Sequence, residues 1–227
     1  TPDEVIKFIN LNNILKFFKF YKESDMVISI NPRNPQKRHL DKIVEVLKNG
    51  GVIIYPTDTY YGFGASLMSL DAIDKLYKLK KQEKNKFYSF ILPDLKNISE
   101  YAMVSDYAFK ALKYHLPGPY TFILPASRVI PKKLWSKRKT VGIRIPDNKI
   151  STAIAKELGH PIVNTTLLDK KDEGIFNPDL IDKELENKVD LVVNGGIIEP
   201  QQSTVIDLTN DSPEIIREGA GSIDWFK

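Results

Sequence analysis

Five polar clusters lie beside apolar runs, and their residue types suit the handling of anions better than covalent catalysis. Thr57, Asp58, Thr59, Tyr60 and Tyr61 follow Val52-Ile53-Ile54-Tyr55-Pro56. Asn164, Thr165 and Thr166 end a second run, Ser203 and Thr204 open a third, and Arg217 follows Ile215-Ile216. The fifth cluster is the most informative. In Thr140-Val141-Gly142-Ile143-Arg144-Ile145, side chains alternate between faces, so Thr140, Gly142 and Arg144 share one face and the three aliphatic residues the other. A glycine beside a guanidinium leaves room for a carboxylate or phosphate to be gripped in two-point fashion. An edge-strand arginine in solvent is the competing reading. The Thr57–Tyr61 stretch likewise has two readings. It either lines the carboxyl end of a buried strand, where open α/β sheets bind ligands, or its threonine and aspartate bond their own backbone in a turn. Hydroxyls at strand ends are usually structural, and the same alternative stands for Thr166 and Ser203.

Several chemistries are excluded. The chain has no cysteine, which removes thiol nucleophiles, thiolate zinc sites, iron–sulfur clusters and disulfides, and fits a cytoplasmic location. His39, His115 and His160 are scattered, so no histidine-rich metal site is expected. No G-x-x-x-x-G-K-[ST] phosphate loop occurs, and Gly62-Phe63-Gly64 lacks the third glycine of a dinucleotide fingerprint. H-E-x-x-H and G-x-S-x-G are also missing.

Charge points the same way as the clusters. The 227 residues carry 33 Lys and Arg against 29 Asp and Glu, a net charge of +4. The distribution is uneven. Six lysines and one acid lie between Lys75 and Lys86, and six basic residues without an acid lie between Lys132 and Arg144. The stretch from Asp169 to Asp190 is acidic, with eight acids and four lysines. Two local concentrations of positive charge fit a polyanion such as nucleotide phosphates or RNA; two solvated faces are the plain alternative.

The elements that must hold these residues alternate between the two periods. Helices are expected over His39–Lys48, Asp71–Lys80, Asp106–Tyr114 and Ser151–Leu158. Strands are expected over Val27–Ile30, Val52–Tyr55, Tyr88–Leu92, Tyr120–Leu124, Thr140–Ile145, Pro161–Thr166, Val189–Val193, Ser203–Leu208 and Glu214–Glu218. Together they predict a mixed α/β sheet in one domain over 26–227. Residues 1–25 read as a helical extension. Thr1-Pro2-Asp3-Glu4 is a helix-start pattern, and the apolar residues that follow are expected to dock on the body or on a second copy rather than on a membrane. No run reaches the roughly 18 apolar residues of a membrane span.

In chain order, six of these stretches resemble the motifs of the YrdC-like threonylcarbamoyl-AMP synthases. They are Gly50 to Gly64, Pro117-Gly118-Pro119-Tyr120-Thr121, Thr140 to Pro146, Asp190 to Gly196, Ser203 to Thr209, and Ile216 to Gly221. The likeness spans roughly residues 26–224. It implies a YrdC-like fold, a twisted open mixed sheet with flanking helices and a large basic cavity. It also implies a nucleotidyltransferase that joins L-threonine, bicarbonate and ATP into threonylcarbamoyl-adenylate plus pyrophosphate, for tRNA threonylcarbamoyladenosine modification. ATP would enter with Mg²⁺ as a substrate complex, without a tightly bound metal, and tRNA or double-stranded RNA could bind at the cavity rim. By motif position, Thr57, Arg144, Ser203 and Asn164 would hold threonine or its carbamate. Lys80, Lys84, Thr140, Thr166 and Arg217 would hold ATP, with Arg144 and Lys80 serving catalysis. The sequence leaves the oligomeric state open.

Two departures stand out. Gln82 occupies a position where the family directs an arginine at the nucleotide. Thr166-Leu167-Leu168 stands where the family has S-A-N. In both places the chain looks closer to the YciO branch, which implies the alternative of an RNA- or ribosome-associated protein with weak or no synthase activity.

Overall fold

A computed structural model describes residues 26–79, 88–134, 136, 138–171, 173–181, 183–210 and 212–226. The expected helical extension over 1–25, and the candidate ATP residues Lys80 and Lys84 together with Gln82, lie outside the described residues.

The described residues open with β1 (Val27–Ser29), α1 (Lys37–Lys48), β2 (Val52–Tyr55) and β3 (Gly62–Ser66). It continues through α2 (Leu70–Leu79), β4 (Ser89–Ile91), a single turn α3 (Ile98–Tyr101), α4 (Asp106–His115), β5 (Tyr120–Pro125) and β6 (Thr140–Arg144). Then come α5 (Lys149–Leu158), β7 (Ile162–Thr166), the short α6 (Lys183–Glu186), β8 (Leu191–Asn194), β9 (Thr204–Asp207) and β10 (Glu214–Arg217). All ten strands form one sheet in the order β1-β8-β2-β3-β7-β4-β6-β5-β9-β10, with parallel and antiparallel pairs mixed.

Local sequence explains most boundaries. In α1, Leu40, Ile43, Val44 and Leu47 recur at helical spacing on the buried face. The helix gives way at Asn49 and Gly50, and Gly50 takes a φ of +78° that only glycine adopts freely. The start of α5 is fixed by Asn148, whose Oδ1 accepts the amides of Ile150 and Ser151 at 3.0 and 3.1 Å. That helix therefore begins at Lys149, two residues before the sequence expectation. The four residues of β2 are fully enclosed, as a strand with both faces covered must be.

Sequence patterning predicts no strand over Gly62-Phe63-Gly64, and the structure shows one. These residues open β3, which pairs with β2 on one side and β7 on the other. Glycine weakens a strand locally, but here a side chain has no space. A Cβ on Gly62 would lie 2.4 Å from Asn164 Oδ1, and one on Gly64 would lie 2.7 Å from the Tyr55 ring.

The core is split by the sheet into two layers. On one face, α2 and α4 bury Ile73, Leu76, Ala111 and Leu112 against Ile54, Phe63, Phe90, Phe122 and Ile143. On the other, α1 and α5 bury Ile43, Leu47, Ile150 and Ile154 against Ile53, Tyr55, Ile91 and Ile162. Each such side chain contributes roughly 1.5–3 kcal/mol relative to exposure. This second pair of helices stops short. Among the described residues, the cluster it forms draws on β1, β8, β2, β7 and β4 but on none of β6, β5, β9 or β10. Among the described residues, neither α1 nor α5 reaches over those four strands on the face that carries Thr121, Gly142 and Arg144.

Candidate functional site

The sheet register sets this face in rows. Gly142 on β6 pairs with Ser89 on β4 and with Ile123 on β5, and Ser89 in turn pairs with Asn164 on β7. Thr121 pairs with Val205, and Val205 with Arg217. Gly142 keeps this floor low: a Cβ there would come within 3.1 Å of Thr121 Cγ2.

Arg144 closes one end of the face. The strand that carries it is flanked by β4 and β5, so the edge-strand alternative is excluded. Its side chain is 6% exposed and forms an ion pair with Asp58, itself 7% exposed, with Nη2 to Oδ1 at 2.6 Å. The same Nη2 donates to Thr59 Oγ1 at 3.1 Å. Asp58 Oδ2 accepts the Asp147 amide at 3.1 Å, and Asn148 Nδ2 donates to the Thr57 carbonyl at 3.0 Å. The β2–β3 loop is thus fastened over the end of β6. The expected two-point grip is altered by this: Asp58 already takes one corner of the guanidinium. Nε of Arg144, although buried, has no acceptor. A buried donor left unmet costs on the order of 1–3 kcal/mol, and such a group calls for a partner.

A second guanidinium lies close by. Arg217 Nε and Nη2 both donate to the Ser203 carbonyl, at 3.0 and 2.8 Å, and Nη2 also reaches Ser203 Oγ at 3.0 Å. Ser203 Oγ is 2.9 Å from Thr121 Oγ1. The pKa of Arg217 is pushed down, first by burial and then by the charge of Arg144, with Tyr60 opposing. The arginine stays protonated regardless. Two cations therefore repel each other across the same site, and an anion between them would relieve both.

The other sequence-derived residues fall in three places. Thr57 is buried in the loop, where Oγ1 donates to the Tyr60 carbonyl at 2.7 Å and accepts the Thr59 amide at 3.1 Å. Asn164 is buried in the middle of the sheet. Its Oδ1 accepts from Tyr55 OH at 2.9 Å and its Nδ2 reaches Ser89 Oγ at 3.2 Å. Burial pushes the Tyr55 pKa up, opposed by the Arg144 charge, so Tyr55 remains a neutral donor. Thr140 sits at the far end of β6, where its hydroxyl lies 2.6 Å from Ser136 Oγ. Arg138, 78% exposed, lies 3.9 Å from the buried Asp207 there. Thr166 is half-buried at the carboxyl end of β7. The structure thus brings together Arg144, Arg217 and Ser203, places Thr57 in the loop above them, and sets Asn164 and Thr140 apart.

Three pairings escape a reading of the sequence: Asp58 and Thr59 with Arg144, and Thr121 with Ser203. Asp58 and Thr59 stand beside the expected ligand Thr57 in one motif, whereas Thr121 stands in a motif that holds no expected ligand. Of the S-A-N departure, Leu167 is fully buried, and Leu168 bridges Gly174 in the loop that follows β7. No group of three or more His, Asp or Glu side chains able to hold a metal ion occurs among the described residues. No helix among them is long and apolar enough to cross a membrane.

The chain is similar to YciO of Escherichia coli, at 37% identity over 199 residues, covering 87% of this chain and 97% of that protein. The crystal structure of E. coli YciO superposes with a TM-score of 0.84 at 36% identity, over 89% of this chain and all of that one. A proposed threonylcarbamoyl-AMP synthase of Methanocaldococcus jannaschii is 35% identical over 198 residues, 85% of this chain and 92% of that protein. Pyrococcus abyssi Sua5, solved in complex with L-threonine, shares the fold with a TM-score of 0.79 at 22% identity, over 86% of this chain and 57% of Sua5. The Sua5/YciO/YrdC family model, described as telomere recombination, matches residues 45–219. The chain belongs to the Sua5/YciO/YrdC family.

Proposed function

We propose that the protein is an L-threonylcarbamoyladenylate synthase-like enzyme. It would convert L-threonine, bicarbonate and ATP into threonylcarbamoyl-AMP, pyrophosphate and water, for threonylcarbamoyladenosine modification of tRNA. The observation that carries this reading is the buried Arg144 guanidinium with its unmet Nε, set beside the second guanidinium of Arg217 on the part of the sheet that α1 and α5 do not reach. The reaction needs such a pair. The threonine amine attacks bicarbonate-derived carbon to form a carbamate. A carbamate oxygen then attacks the α-phosphorus of ATP as the bond to the pyrophosphate oxygen breaks. Both partners are anionic, so orientation and charge neutralisation supply the catalysis and no side-chain nucleophile is required. In this reading Arg144 takes the threonine carboxylate, with Thr57 and Ser203 shaping the threonine subsite, while Asn164, paired with it by motif position, braces the sheet beneath through Tyr55 and Ser89. Arg217, Thr140, Thr166, Lys80 and Lys84 would bind ATP by their motif positions, and ATP would enter as its Mg²⁺ complex. The likeness to an archaeal protein described as a proposed threonylcarbamoyl-AMP synthase, and to Sua5 solved with L-threonine, supports threonine as the substrate.

The test is pyrophosphate release by the purified protein. Release is expected only when ATP, threonine and bicarbonate are all present, and release independent of threonine would refute the reading. A second reading is an RNA- or ribosome-binding relative with weak synthase activity. It is favoured by Leu168, whose apolar side chain stands where the family pattern has asparagine. On the synthase reading, Leu168→Asn raises the rate severalfold. Duplex-RNA binding that falls steeply with salt, without pyrophosphate release, favours the second.

A further inference from the structure

We propose that Asp58 is a positioning residue for the anion site, clamping one corner of the Arg144 guanidinium so that the plane in which it can meet a ligand carboxylate is fixed. The proposal rests on the threonine reading above and names a residue that this reading leaves without a role.

Asp58 uses both oxygens for orientation. Oδ1 meets Arg144 Nη2 at 2.6 Å, and Oδ2 meets the Asp147 amide at 3.1 Å, three residues beyond Arg144 on the same chain. A carboxylate held at two points on one partner segment fixes that segment in distance and in rotation. Thr59 Oγ1 adds a third point on Nη2. The guanidinium is planar, so pinning one nitrogen group with two acceptors sets the plane of the whole. Nε is left buried and without an acceptor, so the clamp on Nη2 is what holds the group in place.

A counter-ion with no positioning role would look different. Its purpose would be to cancel charge, and any carboxylate able to reach the cation would serve. Asp58 also works against crude anion attraction. Arg144 and Arg217 bring two positive charges, and Asp58 cancels one, so the site gives up attraction for general polyanions. The two roles predict opposite signs. If Asp58 only balances charge, removing its charge strengthens binding of every anion, threonine included. If it positions, removal strengthens binding of a plain anion and weakens threonine.

The experiment uses the full chain with Asp58→Asn and Asp58→Glu. Threonine and ATP KM and kcat come from pyrophosphate release, threonine affinity from calorimetry, and inorganic pyrophosphate serves as the plain anion probe. The expected result is a threonine KM raised at least tenfold in both variants, with the ATP KM within twofold. Asp58→Glu keeps the charge and changes only the reach, so an unaltered threonine KM in that variant overturns the proposal. Tighter threonine binding by Asp58→Asn, in step with pyrophosphate, overturns it too. A third readout needs no activity: the Arg144 Nε–H resonance in ¹⁵N spectra, assigned by its loss in Arg144→Lys. It is expected to move in both Asp58 variants, and an unmoved resonance overturns the proposal. Should the unaltered protein neither bind threonine nor release pyrophosphate, the proposed function fails, and this resonance still decides whether Asp58 positions Arg144. Where Asp58→Asn does not fold, Asp58→Glu decides the question.

Discussion

The two halves of a single sheet face treat polar groups in opposite ways. Under α1 and α5, Tyr55, Asn164 and Ser89 form a closed chain in which Tyr55 OH meets Asn164 Oδ1 and Asn164 Nδ2 meets Ser89 Oγ. Over β6, β5, β9 and β10, Arg144 keeps a buried donor without an acceptor and Arg217 carries charge against a neighbouring cation. The polar content is similar, but the satisfaction is not. A satisfied buried network rigidifies a core, whereas an unsatisfied one marks where something else is meant to bind. Asn164 stands on the satisfied side, although its motif position pairs it with the threonine residues.

Arg144→Ala is the hardest blow to the half that α1 and α5 do not reach. It removes the expected carboxylate contact and leaves Asp58 buried without its partner. Threonine-dependent pyrophosphate release should fall at least a hundredfold, and stability by about 3–5 kcal/mol, read from urea unfolding. Full activity in this variant would erase the distinction between the halves.

Gly64→Ala strikes the covered half. The new methyl would lie 2.7 Å from Tyr55 Cε1 and 3.0 Å from Ile162 Cγ2, with no open side to move into. Overpacking of this kind costs about 1–3 kcal/mol. An equally stable variant would mean that the covered half is looser than its contacts imply.

The smallest effect concerns pH. His160, half-buried beside Ser66 at the end of β3, has its pKa pushed down, chiefly by burial and also by Lys48, with the Pro161 carbonyl opposing. Folding therefore favours the neutral ring. Its contribution is complete above the unfolded value near 6.5 and is lost as pH falls through the lower folded value. The urea midpoint should drop between pH 7 and pH 5, and His160→Asn should flatten part of that slope.

Much of this molecule is legible one residue at a time. The apolar run of β2 announces a strand enclosed on both faces, and alternation in β6 places Arg144 and Gly142 together. What escapes is pairing between distant segments. Asp58 and Arg144 are 86 residues apart, and no local pattern says that they touch. β3 escapes for a related reason, because Gly62 and Gly64 predict no strand until Asn164 and Tyr55 are seen to fill the space beside them. Arg217 is conspicuous for lying next to two isoleucines, yet its partner Ser203 comes from a neighbouring segment.

The strand β4 is three residues long, and in the strand order it joins the β1–β8–β2–β3–β7 side of the sheet to the β6–β5–β9–β10 side. The ladder narrows there to a waist. Asp58 belongs to one side and Arg144 to the other, so their ion pair is a strut across that waist, separate from the backbone ladder. Fraying of Ser89, Phe90 or Ile91 would load the strut directly. The amide protons of β4 should therefore exchange with solvent faster in Asp58→Asn than in the unaltered protein, because the strut across the joint is gone.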